Sequence, residues 1–191
     1  MIWRLLYFLA SVAVVAGIVH IAIILLVPRF GANDAYALVS RSVEPFEFKP
    51  ISTTESLLNE TDPFFSYGVC RFRLSDAGLY MSGPKIDSFW SATLLDVNGS
   101  VIYSLNSRTA IDNKLDLILL DPVETLRLRE LQPPEAESAI IVESGVEEGF
   151  VVLRVLRPDE SWLEKSNTFL KAVACNRYRL GPADAENDGE S

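Results

Sequence analysis

Residues 89–109 read FWSATLLDVNGSVIYSLNSRT, and this stretch decides the fold because it has the pattern of a β-hairpin. Two runs rich in β-branched and aromatic residues flank Asn98-Gly99, a dipeptide that favours a two-residue type I′ turn. Such a turn places Val97 opposite Ser100 and fixes every pair behind them. One face of the hairpin is then apolar and is predicted to face the core. That face carries Trp90, Ala92, Leu94, Val101, Tyr103 and Leu105.

The opposite face of this hairpin carries hydroxyl and amide side chains, with a guanidinium at its open end. Such groups could bind a small ligand if they converged in a pocket. The alternative is the solvated outer face of an antiparallel sheet, where polar and apolar side chains alternate, and this is the default for exposed polar residues. The candidate ligand-binding residues are Ser91, Thr93, Ser104, Asn106 and Arg108.

Strand and helix patterns continue on both sides of the hairpin. Asp121-Pro122 is typical of a helix start, and Ser161-x-x-Glu164 has the spacing of a capping box at the start of a second helix. Short strands separated by turn signals are typical of a β-sandwich. We therefore expect a mainly β (α+β) fold: an N-terminal single transmembrane helix, then a β-sandwich-like antiparallel domain with one or two packed helices. The predicted strands are 65–74, 115–120, 139–142 and 150–156, and the predicted helices are 122–130 and 161–175.

The apolar segment at residues 5–27 contains no formally charged side chain. At about 1.5 Å per residue, a helix of this length crosses a hydrocarbon core of about 30 Å. A cleaved signal peptide is the alternative, but its apolar region usually spans only about 7 to 15 residues. The length favours a retained anchor that contacts the lipid bilayer through residues 5–27.

Within this segment, Ala13, Gly17 and His20 share one helical face. Small residues allow helices to approach closely, and a polar side chain can form a hydrogen bond across the contact. These residues are therefore candidates for helix packing in the membrane. The alternative is that His20 is a neutral imidazole near the outer interface, and the sequence leaves both interpretations open.

The rest of the chain is acidic: residues 30–191 hold 15 Lys and Arg against 26 Asp and Glu, a net charge of −11. Phosphate backbones and anionic lipid headgroups repel such a domain, so nucleic acid is not an expected partner. Within the strand pattern FVVLRVL, Arg154 either pairs with a buried carboxylate or points toward a partner, and we expect the buried pair.

Cysteine and histidine usage bears on the compartment and on catalysis. Cys70 and Cys175 could form one disulfide in an oxidising compartment, or remain two buried thiols; a bridge is slightly favoured and would support an external domain. His20 is the one histidine, so a Ser-His-Asp or Cys-His mechanism would have no base in the acidic domain. No catalytic residue, metal site or cofactor is predicted, and an enzyme is not the favoured class.

A family resemblance rests on the hairpin sequence together with VCRFRL before it and GFVVLRVLRPDESW after it. These stretches resemble bacterial envelope proteins classed as domain of unknown function 1254, with its sister class 1214. The chain is more specifically similar to short alphaproteobacterial forms in which an anchor ending like HIAIILLVPRF precedes the domain. The resemblance implies an inner-membrane anchor, a periplasmic β-rich domain and a sister protein in the gene context. It implies no catalytic residue.

Four regions are expected from these patterns. They are an N-terminal tail and anchor (1–29), a connector with a short helix (30–62), a β-rich extracytoplasmic domain (63–180) and a disordered acidic tail (181–191). The expected function is that of a single-pass, membrane-anchored, non-enzymatic periplasmic module that contacts another envelope protein, and the resemblance points to a sister protein of the same family as that partner. The alternative is a small-ligand-binding or enzymatic β-domain that uses the polar hairpin face.

Overall fold

The computed structural model describes residues 2–51 and 62–180, which form one long helix followed by two β-sheets with short helices. The predicted tail at 181–191 and the connector residues 52–61 lie outside the described residues. The strands are β1 (Phe48–Ile51), β2 (Phe65–Arg73), β3 (Gly78–Gly83), β4 (Trp90–Asp96), β5 (Val101–Asn106), β6 (Leu115–Leu120), β7 (Ile140–Glu143), β8 (Glu148–Leu156) and β9 (Ala174–Tyr178). The α-helices are α1 (Ile2–Ser42), α2 (Pro122–Leu131), α3 (Glu135–Ser138) and α4 (Leu163–Ala172).

The strands form a sandwich, which confirms the predicted fold class. Sheet A has the order β1-β2-β8-β4-β5, with every pair antiparallel, and sheet B has the order β7-β6-β3-β9. One pair in sheet B departs from the expected antiparallel pattern, because β6 and β7 are parallel. The chain leaves β6 through α2 and α3 and re-enters in the same direction, which is the crossover that a parallel pair requires.

The main core lies between the two sheets. Side chains from both inner faces are fully buried there, and the apolar face of α4 closes one side of the sandwich with Phe169, Leu170 and Val173. A second cluster covers the outer face of sheet B, where α2 and α3 pack over Ile118 and Leu120. The outer face of sheet A is the remaining broad surface. The last turns of α1 pack on its β2–β8 side, and the polar side of the hairpin lies at its β4–β5 side.

The turn of the β4–β5 hairpin differs from the predicted type I′ turn. Gly99 has a φ of 74°, but Asn98 does not have the positive φ that type I′ requires. The Gly99 N–H donates to the Asp96 carbonyl at 3.0 Å. The carboxylate of Asp96 accepts from the N–H groups of Asn98 and Ser100 at 2.8 and 2.7 Å. The loop is therefore a type I turn followed by a left-handed glycine, and the Asp96 side chain holds it closed.

This longer loop shifts the register near the turn. Leu94 lies opposite Tyr103 as predicted, but Leu95 lies opposite Val101, which leaves Ile102 as the extra residue of a bulge. Because of the bulge and the edge position of β5, Val101 and Tyr103 are 62% and 38% exposed, and their predicted place in the core is wrong. The other predicted core residues of the hairpin are buried: Trp90, Ala92, Leu94 and Leu105.

The long helix α1 does not end after the apolar segment. It continues through Pro28 to Ser42, where a connector containing only a short helix had been expected. Proline removes one intrahelical hydrogen bond, and such a loss is common in membrane helices. The segment after Pro28 gains contacts with sheet A from Tyr36 onward, which stabilise the continued helix.

The remaining boundaries follow local chemistry. Asp121 accepts from the N–H of Glu124 at 2.7 Å, so α2 begins as predicted. The predicted capping box does not form, because Ser161 turns back to Asp159, whose carboxylate accepts from its N–H and hydroxyl. The second predicted helix also ends early, and its last residues belong to β9. Strands β1, β3 and β9 were not predicted, because they are short and carry proline, glycine or charged residues.

Candidate functional site

The last turns of α1 pack on the outer face of sheet A and form what we call the anchor junction, defined by Tyr36, Arg71, Arg73, Glu148 and Phe150. The Tyr36 hydroxyl donates to one carboxylate oxygen of Glu148. Arg73 Nε donates to the other oxygen at 2.6 Å, and Arg71 Nη2 lies 3.6 Å from the first. One carboxylate on β8 therefore joins the helix to two arginines on β2.

The junction also has an apolar layer. Phe150 points to the outer face of sheet A but is only 5% exposed, because the Tyr36 ring lies over it with the ring centroids 6.2 Å apart. The guanidinium of Arg71 also lies over the Tyr36 ring, 5.6 Å from its centroid. Aromatic and cation–π contacts of this kind add to simple burial. Tyr36 therefore binds the helix to the sheet through both its ring and its hydroxyl.

Arg71 also stabilises the end of α1. Its Nη1 donates to the Ser40 carbonyl at 3.4 Å, one of the carbonyls at a helix C-terminus that have no intrahelical partner. A cation near the C-terminus of a helix is favoured by the helix dipole. The chain then turns, and the Phe46 N–H donates to the Arg71 carbonyl at 2.7 Å as it enters β1.

At neutral pH, the protonation states of Glu148 and Tyr36 favour the hydrogen bonds of the anchor junction. The hydrogen bond from Tyr36, followed by the hydrogen bond and charge of Arg73, holds the pKa of Glu148 below its ordinary value, although burial opposes this shift. Burial, followed by the hydrogen bond to Glu148, raises the pKa of Tyr36. Glu148 is thus kept as a carboxylate acceptor and Tyr36 as a neutral donor.

Four of the five predicted ligand-binding residues lie on the outer face of sheet A, at its β4–β5 side, and the fifth, Arg108, lies in the turn after β5. Ser91 lies opposite Asn106 and Thr93 lies opposite Ser104, as the hairpin predicted, and the two hydroxyls of the second pair are 3.4 Å apart. The Asn106 side-chain oxygen accepts from the N–H of Arg108, which closes a local turn. Three concave surfaces among the described residues lie elsewhere, and ligand binding at this face stays a prediction.

Arg154 extends the polar row of the hairpin into the centre of sheet A. It lies between Tyr67 on β2 and Ser91 on β4 in the strand register. Its side chain is exposed, and among the described residues it forms no ion pair. The prediction that Arg154 pairs with a buried carboxylate is therefore wrong for this part of the chain. Side chains alternate along β8, so Arg154 points to the outer face while its neighbours Leu153 and Val155 point to the core.

The apolar part of α1, residues Ile2–Val27, is long and apolar enough to cross a membrane, and it is not buried by the rest of the protein. A signal sequence would meet the same criteria. Ala13, Gly17 and His20 are all exposed on this helix. A shallow surface depression includes His20 with neighbouring residues such as Ala16 and Val19. The structure brings none of the described domain residues to this face of the helix.

Cys70 and Cys175 are joined by a disulfide that links β2 of sheet A to β9 of sheet B. Their Cα atoms are 6.4 Å apart, and both residues are buried, at 0% and 4% exposure. The bridge crosses the core and closes a loop between residues 105 positions apart.

A groove of about 710 Å³ lies between the loop after β3 and the exposed side of α4. Trp162 and Phe169 line its apolar part, and Lys165 lies over the Trp162 ring with its Nζ 4.6 Å from the centroid. Lysines and carboxylates are mixed along its rim, so it has no single sign of charge. Among the described residues, no group of three or more His, Cys, Asp or Glu side chains is placed to hold a metal ion.

Sequence reasoning missed the anchor junction. Tyr36 and Glu148 are more than 100 residues apart, and neither belongs to a recognisable motif. The available signal was the pair Arg71 and Arg73, which alternate with buried Cys70 and Phe72 and so place two cations on one face of a strand. Two adjacent cations on a sheet face indicate a nearby carboxylate, but the sequence does not say which one.

Comparisons with known proteins bear on the fold. No family model and no curated protein matches the chain. The chain is similar to the VPA0106 protein from Vibrio parahaemolyticus, with a TM-score of 0.56 and 11% identity over 84% of this chain and 39% of that one. An uncharacterized protein from Burkholderia cenocepacia gives a TM-score of 0.47 and 12% identity over 82% and 43%. The chain therefore spans about two fifths of each neighbour's length, and the first likeness concerns the fold alone.

Proposed function

We propose that the protein is a single-pass, membrane-anchored module that holds a β-sandwich domain at the outer side of a bacterial inner membrane for contact with another envelope protein. The observation that carries this proposal is the anchor junction. A helix of membrane-spanning length continues without interruption onto sheet A, where Tyr36, Arg71 and Glu148 fix its end. A fixed anchor is useful to a protein whose surfaces must meet a partner in one orientation.

Two further observations support this placement. A buried disulfide is typical of proteins that fold in an oxidising compartment such as the periplasm. The acidic character of the chain beyond the anchor disfavours contact with anionic lipid headgroups, which suits a domain held away from the bilayer surface. The resemblance to the 1254 and 1214 classes, with a sister protein in the gene context, suggests that the partner is such a sister protein.

The geometry of the junction supports an orienting role over a flexible tether. The helix beyond the apolar segment extends for about 15 residues, or about 22 Å at the rise of an α-helix. Its end is held by a carboxylate that accepts two hydrogen bonds and forms an ion pair with Arg71, by a ring contact, and by the bond from Arg71 to the Ser40 carbonyl in its last turn. A flexible linker would leave the domain free to rotate, whereas a helix fixed to sheet A would hold the domain in one orientation relative to the bilayer.

In-cell photocrosslinking of the full-length protein tests the proposal. A photoreactive amino acid placed at Thr93 on sheet A, or at Thr168 in the groove, is expected to yield a discrete adduct with another envelope protein. Replacing Glu148 by Gln is expected to weaken that adduct, because the domain is then less firmly oriented. The matched control is Glu147→Gln, which changes an exposed neighbouring carboxylate outside the junction.

Two outcomes would contradict the proposal. One is the absence of any discrete adduct with another protein at both positions, with the protein present in the membrane at normal levels. The other is an unchanged adduct when the anchor is exchanged for a cleavable signal peptide, because the domain would then find its partner without being held at the membrane.

A further inference from the structure

We infer that the outer face of sheet A binds a carboxylate side chain of the partner protein through Arg154. This inference rests on the proposed function, which supplies the partner, and it deepens that proposal by naming one contact surface and its chemistry. We call this surface the Arg154 patch. It consists of two neighbouring rows of side chains across β2, β8 and the start of β4: Tyr67, Arg154 and Ser91, then Phe65, Leu156 and Phe89.

Arg154 is an outward-facing cation on β8, the middle strand of sheet A. Its side chain is exposed, and within the part of the chain that the structure describes it forms neither an ion pair nor a side-chain hydrogen bond. Glu148 on the same strand is six residues away, about 20 Å at the rise of a β-strand, and it is already bonded to Arg73. The guanidinium of Arg154 is therefore open to a carboxylate from another molecule, which it can bind through two parallel hydrogen bonds.

The charge of this face is opposite in sign to the charge of the domain. Residues 30–191 carry a net charge of −11. At the outward positions of the described strands of sheet A, however, the charged residues are four cations and one carboxylate: Lys49, Arg71, Arg73, Arg154 and Glu148. An acidic partner segment is repelled by most of the domain and attracted to this face. Charge complementarity therefore selects both the surface and the chemistry of its partner.

Aromatic and apolar side chains border Arg154 on one side. Phe65 lies opposite Leu156, and the Leu156 N–H donates to the Phe89 carbonyl at 2.8 Å, which places these three residues in one row. The rings of Phe65 and Tyr67 have their centroids 6.4 Å apart. All four side chains are only half-buried, so a partner can cover them. Tyr and Arg are enriched at the positions that contribute most to binding, and exclusion of water by apolar neighbours strengthens a charged hydrogen bond.

The chain itself is another source of carboxylates, because its last eleven residues, 181–191, contain four Asp and Glu. The residue before them, Leu180, packs with Tyr178 against the cluster on the outer face of sheet B. That face lies on the opposite side of the sandwich from the Arg154 patch. The carboxylate is therefore assigned to the partner, and the experiment separates it from a carboxylate of the same chain.

Carbodiimide coupling in membranes that contain the full-length protein tests the inference. Arg154→Lys keeps the positive charge and supplies an amine, which a carbodiimide joins to a carboxylate only where the two groups are in contact. We expect a new adduct with another envelope protein, and peptide mass spectrometry should map it to the introduced amine and to an Asp or Glu of that protein. The matched control is Arg127→Lys, which changes an exposed arginine on α2 and should give no such adduct.

Charge reversal gives the second measurement. Thr93 follows Ser91 by two residues on the same face of β4, so a photoreactive amino acid there lies beside the patch. Its adduct with the partner is expected to fall about tenfold or more in Arg154→Glu, because like charges then meet, and to fall with added salt. Arg127→Glu should leave the adduct unchanged. An unfolding midpoint equal to that of the wild type shows that Arg154→Glu is folded.

Three results would overturn the inference. They are equal coupling of Arg154→Lys and Arg127→Lys, coupling of Arg154→Lys only to a carboxylate of the same chain, and a Thr93 adduct that persists unchanged in Arg154→Glu. Failure of the proposed function looks different, because the wild type then gives no adduct at Thr93 or at Thr168. An adduct at Thr168 alone would leave the proposed function standing and would remove the Arg154 patch as the contact surface.

Discussion

At the residue scale, Glu148 has the largest role in joining α1 to sheet A. Its carboxylate accepts from Tyr36 and Arg73 and lies near Arg71, so a single side chain joins the anchor helix to sheet A. A partly buried carboxylate that accepts hydrogen bonds stabilises a protein more than an exposed ion pair does. Hydrogen bonds to charged groups contribute about 1.5 to 3 kcal/mol to stability. The sequence could not identify this residue, because its partners come from elements far apart along the chain.

We expect Glu148→Gln to lower the free energy of unfolding by about 1 to 2 kcal/mol at pH 7. The pKa of Glu148 is lowered in the folded protein, so the stabilisation is present above the ordinary carboxyl pKa and is lost as the pH falls through the lowered value. Urea unfolding of the full chain in micelles, from pH 7 to pH 3, should show the two proteins converging at acid pH.

The control for this prediction is Glu147→Gln, an exposed carboxylate that precedes Glu148. It should leave the unfolding curve unchanged at every pH. A stability difference between wild type and Glu148→Gln that does not decrease as the pH falls would contradict the assigned role, because stabilisation by the ionised carboxylate has to be lost as that carboxylate is protonated.

At the scale of elements, strands with a long apolar pattern could be predicted from the sequence. Strands and turns that form only through contacts with neighbouring segments could not. The predicted strand at 115–120 matches β6 exactly, and the burial of Trp90 and Leu94 follows from simple alternation. The end of the hairpin was predicted wrongly, because Asn98-Gly99 is compatible with two loops and the Asp96 side chain selects the longer one. Strand β1 contains a proline and forms only because β2 is beside it.

The hairpin loop gives a prediction that separates the two turn types. Asp96→Ala should lower the free energy of unfolding by about 1 to 2 kcal/mol, because two loop N–H groups lose their acceptor. Asn98→Ala should change it by only a few tenths of a kcal/mol, since Asn98 does not have a positive φ. Thermal or urea unfolding of both variants would measure this. The reverse order of effects would indicate a type I′ turn.

At the scale of the whole molecule, the disulfide joins the two sheets, and the end of α1 packs on one of them. The sandwich could be predicted from strand spacing, while the parallel β6–β7 pair and the continuation of α1 onto sheet A could not. Both features depend on contacts between segments that are far apart along the chain. The predicted polar face was placed correctly on the outer side of the sheet, but alternation alone says nothing about whether such a face is concave.

The disulfide should stabilise the whole domain. Joining residues 105 positions apart reduces the entropy of the unfolded chain, which corresponds to about 4 to 5 kcal/mol on a chain-entropy estimate. Reductant should therefore lower the unfolding midpoint of the wild type and leave the Cys70→Ala/Cys175→Ala double variant unchanged. Complete alkylation of both thiols in denatured, unreduced protein would contradict the bridge.

We propose that α1 is retained as an anchor and holds the domain in the periplasm. The measurement is the activity of alkaline phosphatase fused to the C-terminus, assayed in carbonate-washed membranes of a Gram-negative host. We predict an active enzyme that stays in the membrane pellet, because phosphatase folds only in the oxidising periplasm and a retained α1 would keep the fusion in the membrane. Activity released into the soluble periplasmic fraction would indicate a cleaved signal, and an inactive fusion would place the domain in the cytoplasm; either result would contradict the account.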